Sequence, residues 1–116
     1  MNILEDFTLE VTILAGENRS TVFDVRKYSR MMFLIPSGWT SADLGFMHSE
    51  YQAGVFNPTF DYQGNLVEIS VPSGAVAWFV PNQWTQPTHF VRLWSQRDGN
   101  NVAQTSEQTI KVCLKT

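Results

Sequence analysis

A single cysteine, Cys113, is all the chain contains. No intramolecular disulfide can staple it, so the fold has to rest on a packed core. Charge is scarce too: only 16% of residues are Asp, Glu, Lys or Arg, against about a quarter in an ordinary globular protein. Asn, Gln, Ser and Thr make up the polar balance. The net charge is -3 and the cations are scattered, which leaves no basic field for a phosphate backbone and excludes nucleic acid as an expected partner. No apolar run approaches the roughly 18 residues of a membrane span. The start, MNILEDFTLE, has no basic region followed by an apolar stretch, so no membrane partner is expected and synthesis in a cytosol is. Helical periodicity is missing as well: nowhere do apolar residues recur at helical spacing over about ten positions.

What is present is period two. Phe7, Leu9, Val11 and Ile13 alternate with Thr8, Glu10 and Thr12, the pattern of a half-buried strand. A turn at 15–19 leads to a second strand at 21–26, and a polar corner at 27–30 leads to 31–35. That run is continuously apolar, so it is expected to be a central strand covered on both faces. Pro36-Ser37-Gly38 stops it. Residues 42–49 form a strand with Leu44 and Phe46 on one side and Gly45 and Met47 on the other. After a loop at 50–54 a return strand begins at Val55, where Pro58 implies an edge or a bulge. The turn at 61–65 feeds 66–71, in which Val67, Ile69 and Val71 alternate with Glu68 and Ser70. Residues 75–80 are short and apolar, and 81–88 is a polar connection. In 90–95, Val91 and Leu93 are assigned to the core and Phe90, Arg92 and Trp94 to the opposite face. Residues 96–104 read as a loop around Asp98-Gly99-Asn100-Asn101, and 106–115 as a final amphipathic strand. At 116 residues this implies a single domain, 1–116, with 1–5 as an extended leading segment. The fold class is all-β, a jelly-roll-like sandwich of about eight antiparallel strands, with the first and last strands expected to pair.

Chemistry finds little to stand on. His48 and His89 are the only near-neutral proton carriers, and neither has a second ligand at metal spacing. His48-Ser49-Glu50 contains a base, a nucleophile and an acid, but neighbours on an extended strand point to opposite sides and do not converge. Asp24, Asp61 and Glu68 lack paired-carboxylate spacing, and Gly64, Gly74 and Gly99 fall in separate turns, so there is no phosphate loop. No enzymatic activity, cofactor or metal is expected. Cys113 shares a face with Lys111 and Lys115, which would favour a thiolate, although packing under a loop is the simpler role. The compositional anomaly is four tryptophans. At Trp78 core filling and exposure compete on equal terms. Trp39 and Trp84, beside Gly38 and Pro87, are expected at the rim. With Tyr51, Phe90, Arg92 and Trp94 they form the expected contact set, because interfaces favour aromatics and Arg and avoid other charge. Asn and Gln around Trp84 leave a sugar-stacking reading open.

The succession S-x-W-T-x-A-x-L-G-F-x-x-S from Ser37, a hairpin ending at Val55-Phe56, the Asp61-led turn, V-x-I-x-V at 67–71, and H-F-V-R-L-W-S followed by V-A-Q-T-S-E-Q-T-I-K-V resembles small β-sandwich virion proteins of tailed bacteriophages and prophages, over roughly residues 20–115. The resemblance implies a non-enzymatic capsid decoration or cement protein on the virion surface, bound to the major capsid protein and assembled as a homo-oligomer, a trimer foremost. Two departures from the pattern, the longer loop at 50–54 and the aromatic, proline-rich stretch 78–88, are where partner contacts would be tuned. It carries over no catalytic residues. The alternatives are a carbohydrate- or receptor-binding module of a tail or fibre, which would take a glycan, and a head-tail accessory protein.

Overall fold

The structure, a computed structural model, describes residues 6–28, 30–71, 76–80 and 89–115. Its strands are β1 (Asp6–Ile13), β2 (Phe23–Asp24), β3 (Arg30–Ile35), β4 (Asp43–Ser49), β5 (Asn57–Pro58), β6 (Glu68–Ile69), β7 (Val76–Val80), β8 (Phe90–Arg97), β9 (Asn100–Asn101) and β10 (Gln108–Lys115). Among the described residues there is no helix, and so none long and apolar enough to cross a membrane. The fold is all-β, as the alternation predicts.

Two sheets face one another. The first has the order β1-β10-β3-β7; the second has β2-β8-β4-β5, with β6 also on β4 and β9 on β8. The pairs nest: β1 lies against β10, β2 against β8, β3 against β7, and β4 against β5 and β6, all antiparallel. The first and last strands thus pair along their full length, from Asp6 opposite Lys115 to Ile13 opposite Gln108. Successive strands β1 to β4 alternate between the sheets, so the inward residues of both meet in one core: Val11, Ile13, Phe33, Ile35, Ile110 and Val112 from one, Phe23, Leu44, Phe46, Val91 and Leu93 from the other. Phe33 and Phe46 touch across the gap with ring centroids 5.6 Å apart. Burying each such side chain contributes about 1.5–3 kcal/mol.

One end of this slab is closed by a polar network. Gly16 N donates to Gln104 O, Gln104 N to Glu17 O, and Thr40 N to the Gln104 side-chain oxygen, while Gln104 Nε2 donates to Ser95 Oγ. Gln104 is fully buried, and these bonds satisfy it.

Several expectations change. The run 31–35 is central, but only Met31, Phe33 and Ile35 are buried; Leu34 is exposed, because an apolar run by itself does not show how many faces are covered. The strand expected at 21–26 shrinks to Phe23–Asp24: the Asp24 carboxylate accepts the Arg26 N–H, and Tyr28 N donates to Val25 O, so the backbone turns. The loop expected at 96–104 is largely a hairpin. β8 runs on to Arg97, and Asp98 (φ 52°) and Gly99 (φ 82°) make the two-residue turn into β9, a geometry that Asp-Gly favours because both central residues take positive φ. The return strand from Val55 reduces to β5, which lies at the sheet edge as Pro58 requires.

Candidate interaction surface

β8 directs its residues as the alternation predicts, with Val91 and Leu93 inward and Phe90, Arg92 and Trp94 on the other side, opposite Ser49, Met47 and Gly45 of β4. That outer face is nevertheless covered. Trp94 is only 4% exposed; its ring lies over Gly45, where a Cβ would come within 2.9 Å of Trp94 Cε3, and its Nε1 donates to Asn101 Oδ1 at 2.8 Å. Phe90 is also buried, with the Arg26 guanidinium 4.8 Å from its ring centroid. Arg26 is gripped by Asp24, Nη2 to Oδ2 at 2.7 Å. The guanidinium's hydrogen bonds hold the Asp24 carboxyl below its ordinary pKa, and the carboxylate raises that of Arg26 in turn. Arg92 is half-buried: Nε donates to Ser20 O at 2.7 Å and the guanidinium sits over Phe56. Trp39 is 7% exposed, packs in the core and donates Nε1 to Ala42 O. The exposure expected of Trp39, Phe90 and Trp94 is therefore absent. Residues distant in sequence close over them, and a local pattern carries no trace of those. Trp84 lies outside the described residues.

Exposed apolar surface gathers instead on the segment 51–62. Tyr51, the remaining member of the expected set, is 71% exposed, and Val55, Phe60 and Tyr62 join it, Tyr62 at 95%. The architecture explains this. β5 and β6 both run antiparallel to β4 along the same edge, Pro58 opposite Met47 and Glu68 opposite Gly45. Between them the chain leaves the sheet and returns as a small hairpin closed by the Phe60–Leu66 bridge and by Val67 N donating to Thr59 O. Asp61 builds its tip: Oδ1 accepts the N–H groups of Gln63 and Asn65, each at 2.9 Å, and Gly64 takes φ 83°. The excursion fixes the Tyr62 backbone while leaving its ring in water. Sequence reading finds the turn but misses what it displays; the available signal was the presence of two aromatics, Phe60 and Tyr62, in a segment too rich in turn residues to bury them.

The residues considered for chemistry are not brought together. His48 Nδ1 shares a hydrogen bond with Thr59 Oγ1 at 2.9 Å, whereas Ser49 Oγ accepts from Tyr51 N. His89 is exposed. Among the described residues no three His, Cys, Asp or Glu side chains are grouped as metal ligands. Cys113, half-buried, sits between Lys111 and Lys115 on the outer side of β10 and accepts from Thr8 Oγ1 at 3.8 Å.

No protein-family model matches the chain, and no curated protein matches it in sequence. Among solved structures, the crystal structure of the SPBc2 prophage-derived protein YomS is similar over 100% of this chain and 97% of that one, with a TM-score of 0.64 and 13% sequence identity. The two share a fold.

Proposed function

We propose that this chain is a non-enzymatic structural protein of a bacteriophage particle, a capsid decoration protein with a jelly-roll body that binds the assembled major capsid protein shell, as a trimer, and stabilises it. The observation that carries this reading is the end-to-end likeness in fold to a prophage-derived protein. The nested antiparallel pairing supports the jelly-roll assignment, since that topology folds a long hairpin into two sheets. An exposed apolar surface supports the rest. The rim of Tyr51, Val55, Phe60 and Tyr62 offers apolar contact on a body with little charge, the composition of an interface centre.

Physically, a protein that binds closed shell but not free subunits stabilises the shell by mass action, and attachment at three points multiplies weak single contacts. The test is to mix the purified protein with undecorated heads, and separately with unassembled capsid subunits, of the phage or prophage that carries its gene. Co-sedimentation with heads alone at micromolar concentration is expected; folded protein that stays in the supernatant contradicts the proposal. The sugar-binding alternative loses one of its two supports, because the Trp39 ring is in the core.

A further inference from the structure

β1 is the end strand of its sheet. Among the described residues it is engaged on its free side only near its finish, where Thr21 N donates to Thr12 O and Thr12 N donates to Thr21 Oγ1. Because Thr12 points its N–H and C=O away from β10, the alternation of an antiparallel strand points those of Thr8 and Glu10 the same way. Among the described residues nothing pairs with them there. Below this open edge the two sheets part. β2 is only two residues long and leaves uncovered the inward side of early β1: Phe7 has core parity yet is 51% exposed, stacked on Tyr28 at 6.2 Å. The resulting groove, of about 280 Å³, is lined by Phe7, Leu9, Val22, Phe23 and Tyr28, with Asp24 and Lys27 at its polar margin.

We propose that the open edge of β1, with the groove beneath it, is a docking site for an extended peptide of a partner protein in which apolar and basic residues alternate. Unpaired, outward-directed amide and carbonyl groups call for a strand and not for a small molecule or a helix, since only an extended backbone meets them in register. The incoming strand would direct alternate side chains into the apolar groove. The others would lie on the outer face beside Glu10, whose exposed carboxylate makes a basic neighbour favourable and an acidic one unfavourable. The protein already uses this pattern on the opposite edge of β1, where β10 buries Ile110, Val112 and Leu114 and sets Lys111 across from Glu10. A second copy's β1 fits less well: it has no basic residue and brings a further Glu10 to an edge that already carries one.

The site stands independently of any role on a capsid. The probe is a synthetic peptide of residues 108–115 with Ser in place of Cys, compared with a version carrying Glu in place of both Lys, added to the full chain and followed by fluorescence anisotropy and amide exchange. Binding of the basic peptide with protection of the Thr8 and Glu10 amides is expected, weakened up to about fivefold in the acidic version, with Glu10→Lys reversing the preference. Thr8→Pro, which removes an outward N–H and leaves the β10 ladder intact, abolishes binding. The proposal is overturned if neither peptide binds at millimolar concentration, if affinity ignores Glu10→Lys, or if the same amides become protected without peptide as protein concentration rises, which would make a second copy the occupant.

Discussion

Leu93 and Trp94 are neighbours on β8 with opposite directions and, in the folded chain, the same fate: both are buried. Leu93→Ala removes a filled core position and is expected to cost about 2–5 kcal/mol in urea unfolding. Trp94→Ala is expected to cost about 3–5 kcal/mol in the same measurement, because the ring roofs Gly45 and holds Asn101. A variant that kept its stability and lost only association would return Trp94 to the interface. The alternation read in the sequence assigns these two sides correctly; it is silent on coverage, since the groups that enclose the outer side, Arg26, Phe56 and Asn101, come from three other segments. Asp24 gives a pH-dependent prediction. Its folded pKa is lowered by Arg26 from the ordinary 3.8, so its stabilising contribution is fully present above that value and is lost as pH falls through the lower folded one. Asp24→Asn should therefore lower the unfolding midpoint slightly at neutral pH, and the difference from the parent should vanish in strong acid.

Elements show the same division between local and distant causes. The Asp98-Gly99 turn is fully encoded where it stands, and two-residue hairpin chemistry gives it away even though its surroundings read as loop. Gly99→Ala places a side chain at φ 82° and is expected to cost about 1–2 kcal/mol by thermal unfolding; an unchanged midpoint would mean that the turn relaxes. β2 is cut short just as locally, by the Asp24 carboxylate accepting the Arg26 N–H and by Tyr28 N donating to Val25 O. By contrast, the placing of β5 and β6 along one edge of β4 depends on remote partners, with Thr59 N donating to Phe46 O among the bonds that hold it. That placing is not visible in the residues of β5 or β6 themselves. Met32 and Leu34 belong to the same class of error: apolar side chains on an outward face satisfy the strand pattern as well as buried ones do.

For the whole molecule, the all-β class follows from alternation, because half-apolar strands have to hide one face and a sandwich hides it; the pairing of the first strand with the last is expected from the habit of such sandwiches and is written in no residue of either strand. The contact surface does not follow in that way. Burial removes the tryptophan and Phe90 from consideration wherever their side chains are described, and the surviving candidates, Tyr51, Phe60 and Tyr62, stand on a loop and an edge excursion whose outward aim only the assembled sheet defines. The central claim is that the rim 51–62 binds another protein and is dispensable for folding. The most direct measurement is co-sedimentation with undecorated heads of a triple variant, Tyr51→Ser, Phe60→Ser and Tyr62→Ser, beside the parent, each first checked for its unfolding midpoint. Unchanged midpoints and loss of head binding by the variant alone are expected; equal binding by both proteins contradicts a binding role for this rim.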